Sequence, residues 1–198
     1  MLGFGDEVWW SRLAQPRMHA WTAGRDEPPL RLAERAADRA DPDPTAVACY
    51  GLLRRDTDEM MLRFVAGRPV SHVTTQFLAA VCGDLAAEGK TALLLVWDNA
   101  SWHVSKEVRT WVRAHNRTAK ADGGVRIVVC QLPSKSPWLN PIEPRWLHGK
   151  RAIAEPERLL TAAEVEARVC SYYGCEQHEH LKQIVQPKTT RAKRKQVA

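Results

Sequence analysis

The stretch TALLLVWDNASWH, residues 91–103, joins an apolar run to a group of polar residues. The apolar run at residues 91–97 is typical of a strand covered on both faces inside an α/β sheet. Asp98 follows at the end of that strand. Because ligands of open α/β sheets bind beyond the carboxyl ends of the strands, Asp98 is well placed for chemistry. An Asp-Asn pair after a strand also commonly hydrogen-bonds its own backbone in a turn, so both interpretations stay open.

Further elements are predicted on both sides of this strand. Apolar residues recur every fourth position from Val73 to Leu85, which predicts a helix over residues 70–88. A second helix follows the strand, with Ser105 as its cap. Residues 125–132 are predicted to form another buried strand.

The N-terminal part of the chain predicts three strands. The first covers residues 2–10, residues 17–22 alternate well enough to be its hairpin partner, and residues 46–53 form the third. Residues 23–45 are rich in Arg, Asp, Ala and Pro, so we predict a loop or a mobile flap there.

The C-terminal part predicts a last helix and a tail. TAAE at residues 161–164 fits a capping box, and Gly174 ends the helix. Residues 182–198 contain six Lys or Arg and no acid, which is typical of a disordered basic tail. Three early strands followed by alternating strands and helices predict one α/β domain, with a mixed sheet flanked by helices.

The bulk composition is that of a globular protein, with 44% hydrophobic and 26% charged residues in a chain of 198. The net charge of +6 is unevenly distributed, since residues 1–60 contain 8 Lys or Arg and 11 Asp or Glu, and residues 61–198 contain 21 and 12. A basic majority of the chain fits a polyanionic partner. A merely solvated surface would have the same charge.

Cysteine usage and the first residues indicate the compartment. The five cysteines form no CxxC pair and predict reduced thiols, as in a cytoplasmic protein. The early acids Asp6 and Glu7 fit no signal peptide, and no apolar run approaches membrane-spanning length, so no membrane partner is predicted. The Cys and His residues of CSYYGCEQHEH, residues 170–180, match no standard zinc spacing.

A second informative stretch is SPWLNPIEPRW, residues 136–146, in which three prolines make a stiff connector. A helix is predicted to begin inside it, with Asn140 as its cap and Glu143 as its third residue. Glu143 could complete a capping box with Asn140. Alternatively, the helix dipole keeps Glu143 ionised, as a metal ligand must be.

Asp6 is a third acid of interest. It follows the apolar start of the first strand, where an Asp-Glu pair usually means exposed charge. In the predicted sheet, however, the first strand lies beside the strand that ends at Asp98. The carboxylates of Asp6, Asp98 and Glu143 would then converge at one edge. Such hard oxygen ligands favour Mg²⁺ or Mn²⁺, and two ions can clamp a phosphodiester.

Three sequence blocks resemble those of one family. WDNASWH, residues 97–103, and LPSKSPWLNPIEPRW, residues 132–146, resemble the second and third catalytic blocks of the DDE transposases of the mariner-type superfamily, particularly the bacterial insertion-sequence branch. GDEVWW, residues 5–10, is similar to the first block. The resemblance covers residues 2–181.

This resemblance implies a ribonuclease H-like fold for a catalytic domain over residues 1–181. It implies that Asp6, Asp98 and Glu143 bind two Mg²⁺ or Mn²⁺ ions and catalyse the reaction. The family reaction is hydrolysis of a phosphodiester at a transposon end, followed by attack of the freed 3′-hydroxyl on target DNA. DNA is therefore the implied partner, and the implied location is the cytoplasm, at the nucleoid when bound to DNA.

Several other residues fall within the resembling blocks. Asn99 and His103 match the second block and could orient Asp98 or contact DNA, or they could shape the turn and cap the next helix. Ser136, Asn140 and Trp146 are expected to shape the connector and its packing. Four cations could reach phosphates or be solvated surface charge, namely Lys135, Arg145, Lys150 and Arg151.

The resemblance lacks one part of the family pattern. Family members have helix-turn-helix domains ahead of the first catalytic strand, and only five residues precede Asp6 here. We therefore expect a fragment or the product of a split or frameshifted gene, which needs a separate helix-turn-helix chain or an intact transposase. A homodimer on DNA is also expected from the family. The alternatives are an inactive remnant that binds DNA or intact transposase, and a folded relic with no partner.

Overall fold

The computed structural model of the protein describes residues 1–12, 19–20, 30–31, 40–153 and 158–183. Its strands are β1 (Leu2–Ser11), β2 (His19–Ala20), β3 (Leu30–Arg31), β4 (Ala46–Arg54), β5 (Met60–Ala66), β6 (Ala92–Trp97), β7 (Arg126–Gln131) and β8 (Leu181–Lys182). Its helices are α1 (Ser71–Ala87), α2 (Lys106–Asp122), α3 (Ile142–Ile153) and α4 (Ala162–Tyr173), and a 3-10 turn covers Pro137–Leu139.

Six of the strands form one mixed sheet, in the order β7-β6-β1-β4-β5-β8. Strands β1, β4 and β5 are antiparallel neighbours, whereas β6 runs parallel to both β1 and β7. The predicted α/β class with a mixed sheet flanked by helices is confirmed. The first strand lies beside the strand that ends at Asp98, as the sequence predicted.

The predicted hairpin partner of β1 is wrong. Strand β1 pairs with β4 over nine positions, from Gly3 opposite Arg54 to Ser11 opposite Ala46. The described part of the predicted partner, β2, pairs with β3 in a separate two-stranded sheet. Strand β4 is the preferred partner of β1 because it is long and almost wholly buried, so that pairing with it places β1 in the core. Most of the flap predicted over residues 23–45 lies outside the described residues.

Strand β5 was not predicted, because its sequence MMLRFVA contains an arginine in an otherwise buried run. The side chain of Arg63 is buried, and its guanidinium pairs with Asp84 on α1 and donates to the carbonyl of Leu62. A buried charge is tolerated only when it is paired in this way. That pairing depends on the tertiary fold and leaves no local pattern.

The prediction that β6 and β7 are covered on both faces is wrong on one face. Val128 is 55% exposed and Leu94 is 38% exposed, whereas Leu93, Leu95 and Ile127 on the opposite face are buried. The exposure arises because α3 and α4, on that side of the sheet, pack against β1, β4 and β5. Helix α2 covers one side of these strands, and the other side remains open.

Two hydrophobic cores lie on opposite sides of the sheet. The first core packs α1 and α2 against β4, β6 and β7, and the second packs α3 and α4 against β1, β4 and β5. Strand β4 serves both, since Ala48, Tyr50 and Leu52 enter the first core while Val47 and Cys49 enter the second. Successive side chains of a strand point to opposite faces, so each residue of β1 also belongs to one side.

The helix ends agree with most of the predicted signals. The hydroxyl of Ser105 accepts from the N–H of Val108, which caps α2 as predicted. Thr161 and Glu164 form the predicted capping box, and Gly174 ends α4 with a φ of +66°. Among the described helices, none has the length and apolar character needed to span a membrane.

The cysteines and the C-terminus complete the fold. All five cysteine thiols are free; Cys49, Cys82 and Cys170 are buried, and Cys130 on β7 is exposed. Strand β8 extends the sheet to Lys182, one residue into the segment predicted as tail. Residues 184–198, the rest of that tail, lie outside the described residues.

Candidate active site

The pairing of β1 with β6 brings two of the predicted acids to the same edge of the sheet. Phe4 lies opposite Val96 in the parallel register. Two residues further along each strand, the same register reaches Asp6 and Asp98. Asp98 therefore follows the carboxyl end of β6, where an α/β sheet presents its ligand-binding edge, and Asp6 lies beside it in the middle of β1, just beyond the last β1–β6 pair.

The Asp98 carboxylate is held by the turn that follows β6. Its Oδ1 accepts a hydrogen bond from the N–H of Ala100 at 2.9 Å and lies 2.7 Å from Nδ1 of His103. The bond to His103 is the main reason that the pKa of Asp98 is lowered from its ordinary value. Half of the Asp98 side chain is exposed, so this carboxylate shapes the turn and remains accessible.

His103 lies beneath Asp98 in a closed environment. Its side chain is 1% exposed and stacks on Trp97, with ring centroids 4.4 Å apart and planes inclined by 6°. Burial disfavours the imidazolium, but the hydrogen bond to Asp98, the close contact with Glu7 and the negative charges of both acids outweigh it and raise the pKa of His103 to about 9. The ring is therefore a cation at neutral pH, placed between two carboxylates.

Asn99, the other polar residue of this block, points elsewhere. Its Nδ2 donates to the carbonyl of Leu132, just beyond β7. Asn99 thus ties the turn after β6 to the end of the neighbouring strand, which is the turn-shaping role considered for it.

The Asp6 carboxylate lies on the side of the sheet that faces α3. Its Oδ2 accepts a hydrogen bond from Nε1 of Trp146 at 3.0 Å. Burial, followed by the negative charges of Glu7 and Glu143, raises the pKa of Asp6 to about 7. The indole fits because Gly51, opposite Asp6 on β4, has no side chain; a Cβ there would lie 2.3 Å from the Trp146 ring.

The connector holds α3 close to β1. Asn140 is buried, and its Nδ2 donates to the carbonyl of Gly5 at 3.1 Å. Its backbone N–H bonds to the carbonyl of Pro137. A capping box would direct that N–H to Glu143, so the capping-box interpretation of Glu143 is wrong. Helix α3 begins at Ile142, which makes Glu143 its second residue.

Glu143 is half-buried and interacts electrostatically with the other acids. Burial raises its pKa, the charge of Asp98 raises it further, and Lys150 opposes the rise. Glu143 in turn raises the pKa of Asp6. Acids from three distant segments of the chain therefore influence one another electrostatically.

Comparison with known proteins identifies the family. Residues 2–166 match the family described as DDE superfamily endonuclease. The chain belongs to that family. A search of curated proteins gave no match.

Solved structures of Mos1 transposase resemble this DDE chain. A paired-end complex with the left transposon end aligns with a TM-score of 0.63 and 16% identity over 88% of this chain and 48% of that one. A pre-cleavage Mos1 transpososome aligns with a TM-score of 0.62 and 12% identity, over 89% of this chain and 49% of that one. The catalytic domain of Mos1 transposase aligns with a TM-score of 0.56 and 12% identity, over 88% of this chain and 70% of that one.

At these identities the likeness establishes the fold, and the ribonuclease H-like prediction is confirmed. The chain spans about half the length of the Mos1 chains in the two DNA complexes. Membership of the insertion-sequence branch stays a prediction.

The chemistry of Asp6, Asp98 and Glu143 fits a hard divalent cation. Burial is the main reason that the pKa values of Asp6 and Glu143 are raised, and the negative charge of neighbouring acids, which a cation would offset, raises them further. Carboxylate oxygens are the ligands that Mg²⁺ and Mn²⁺ prefer. Within the described ranges, no group of three or more His, Cys, Asp or Glu side chains is drawn together closely enough to hold an ion. The carboxylates of Asp6, Asp98 and Glu143 would therefore have to move closer together when a metal ion binds.

The predicted phosphate-contacting residues differ in their availability. Arg145 forms an ion pair with Asp58. Lys135, Lys150 and Arg151 are exposed on the connector and on α3. Ser136 is within the connector, where its hydroxyl donates to the carbonyl of Ser134 at 3.4 Å.

Sequence reasoning missed Glu7 as a functional residue. The alternation of β1 turns Glu7 to the side opposite Asp6, toward the loop after β6. Its Oε1 accepts from Nε1 of Trp102 at 2.7 Å, and its Oε2 pairs with Nε2 of His103 at 2.9 Å as an ionic contact whose angle falls short of a hydrogen bond. Strand alternation was the available signal, but the partner lies about a hundred residues away in the chain.

Proposed function

We propose that this DDE domain, residues 1–181, hydrolyses DNA phosphodiesters and transfers the freed 3′ end to target DNA during transposition. Asp6, Asp98 and Glu143 would hold the required Mg²⁺ or Mn²⁺, as two ions. One observation supports the proposal: Asp6 and Asp98 lie on neighbouring parallel strands, and Glu143 at the start of α3 interacts electrostatically with both. Mos1 complexes with Mg and with Mn support the choice of metal by analogy.

Each residue contributes a distinct part to such a site. When bound, the divalent ions would activate the attacking oxygen and stabilise the charge on the phosphate. Asp98 is held ionised and oriented by His103. Trp146 fixes one oxygen of Asp6, and the Asn140-anchored connector aims Glu143 at the same place. Holding the ligands in place before binding lowers the entropic cost of assembling the site.

The proposed partner is DNA. The Mos1 paired-end complex contains a transposon end. In this chain the exposed cations Lys150 and Arg151 lie on the same helix as Glu143, and exposed Lys135 lies on the connector before it. The basic residues 182–198 would add affinity without sequence preference. Recognition of specific transposon ends would come from a helix-turn-helix module in the same or a separate chain, or from intact transposase. The assembly on DNA would include a homodimer of this chain. It would act in the cytoplasm, at the nucleoid.

A calorimetric Mn²⁺ titration with a short DNA duplex tests the metal site. The wild type is compared with Asp98→Ala and Glu143→Ala, and with Asp122→Ala as a control for loss of an exposed acid at the end of α2. Both site variants are expected to weaken binding, while the control binds as the wild type does. Binding that neither site substitution changes would contradict the proposal.

Nicking of supercoiled plasmid distinguishes catalysis from binding alone. Mn²⁺-dependent nicking that Asp98→Asn abolishes is the expected result. DNA binding without any nicking would instead indicate the alternative function, an inactive remnant that binds DNA or intact transposase.

A further inference from the structure

The first strand has a second carboxylate, Glu7, directly after Asp6 and on the opposite face of the sheet. We infer that Glu7 is a positioning residue, which holds His103 and through it orients Asp98 relative to Asp6. The inference rests on the proposed function for its consequence in catalysis. The contact itself is independent of that function.

The surroundings of Glu7 fix its carboxylate at both oxygens. The side chain is only 10% exposed. One oxygen takes the indole N–H of Trp102, and the other lies against Nε2 of His103. A carboxylate with two defined partners and little solvent has one orientation available, because turning it would leave a buried polar atom unpaired.

The His103 ring transmits that orientation to Asp98. Stacking on Trp97 fixes the plane of the ring, and the contact with Glu7 fixes its rotation within that plane. Nδ1 then lies 2.7 Å from Asp98 Oδ1. Hydrogen-bonding partners behind a ligating side chain orient it in many metal sites, and ligating carboxylates are among the side chains held in this way.

The turn that carries Asp98 needs such an anchor. Pairing between β1 and β6 ends at Phe4 and Val96, so no described strand pairing ties Asp98 to β1. The contact between His103 and Glu7 supplies a tie from that turn to β1. Since Glu7 adjoins Asp6 on the same strand, one anchor sets the distance between the two catalytic carboxylates.

The test compares Glu7→Ala, Glu7→Gln and Trp102→Phe with the wild type. His115→Gln is the matched control, because His115 also stacks on a tryptophan, Trp111, with centroids 4.9 Å apart, but lies outside the site. The first readout is the ring-nitrogen NMR spectrum of His103 in the metal-free protein. The second is Mn²⁺ affinity by calorimetry.

Glu7→Ala is expected to shift or broaden the His103 ring signals and to weaken Mn²⁺ binding about 10- to 100-fold, as loss of such partners does elsewhere. Glu7→Gln retains the shape and one acceptor oxygen, so it should recover part of the affinity. Trp102→Phe leaves Glu7 in place and removes only its donor, and a smaller loss in the same direction is expected. His115→Gln should leave both readouts at wild-type values.

Unchanged His103 signals and unchanged Mn²⁺ affinity in folded Glu7→Ala would overturn the inference, while weakened binding in Asp98→Ala would leave the proposed function standing. If Glu7→Ala does not fold, Glu7→Gln and Trp102→Phe decide by the same two criteria. If the wild type binds no Mn²⁺, the proposed function fails, and the ring spectrum alone decides whether Glu7 positions His103.

Discussion

The two faces of β1 treat neighbouring carboxylates in opposite ways. Asp6 faces α3, where burial raises its pKa to about 7 and the negative charges of Glu7 and Glu143 add to the rise. Glu7 faces the turn after β6, where it meets the His103 cation. The negative charge of Glu7 is therefore already offset by His103, whereas that of Asp6 is left for a metal ion. The alternation of a single strand separates a proposed ligand from its support.

The largest expected difference between the faces is catalytic. Asp6→Ala should reduce Mn²⁺-dependent plasmid nicking by about 10³-fold or more, because a metal ligand supports several kcal/mol of transition-state stabilisation. Glu7→Ala should cost only about 10- to 100-fold, because it acts through His103. Initial nicking rates of the two variants at saturating Mn²⁺ measure the contrast. Equal losses would remove the distinction between ligand and support.

The second difference concerns packing. A Cβ on Gly51 would lie 2.3 Å from the rigid Trp146 ring, whereas a Cβ on Gly5, on the Glu7 face, would lie 3.0 Å from the flexible end of Leu95. Gly51→Ala should therefore lower the free energy of unfolding by about 1–3 kcal/mol, and Gly5→Ala by less. Urea denaturation measures both. A larger loss for Gly5→Ala would show that the Trp146 side is the more adaptable one.

The third and smallest difference is a pH dependence on the Asp6 face. The pKa of Asp6 is about 7 in the folded protein and 3.8 ordinarily, so the unfolded chain loses this proton first as the pH rises. Stability of the metal-free protein should fall between pH 4 and pH 7. Asp6→Asn removes this loss and should be more stable than the wild type by about 1–2 kcal/mol at pH 8, after allowance for solvent screening.

Thermal unfolding at pH 4 and pH 8 measures that effect. At pH 4 the stability advantage of Asp6→Asn should disappear, since Asp6 is protonated in the folded wild type. Added Mn²⁺ should stabilise the wild type at pH 8 and leave Asp6→Asn nearly unchanged. An advantage of equal size at both pH values would mean that charge is not its cause.

Local signals in the sequence predicted much of the fold and part of the candidate site. The apolar run of β6, the Ser105 cap and the capping box at Thr161 are decided within a few residues, and the structure has all three. The placement of β1 beside β6 followed from the order of the elements. The three acids were found because their sequence blocks are distinctive.

The missed features depend on distant parts of the chain. Strand β5 is stabilised by the pairing of Arg63 with Asp84, which no local pattern announces. The exposure of Val128 follows from the placement of α3 and α4 over β1, β4 and β5, and the packing of distant helices is a property of the whole fold. Glu7 acquires its role only when Trp102, 95 residues away, arrives beside it.

The bond between Asn140 and Gly5 also has a consequence for biosynthesis. It joins residues separated by 135 positions, at the point where β6 no longer pairs with β1. A ribosome adding about 5–20 residues per second needs about 7–27 s to make that span. Until the connector emerges, the bond to the Gly5 carbonyl, just beyond the last pair of β1 with β6, is not yet made. Folding of this domain should be slow and should be completed after most of the chain has been synthesised. Until then, chaperones would protect the incompletely folded chain from aggregation.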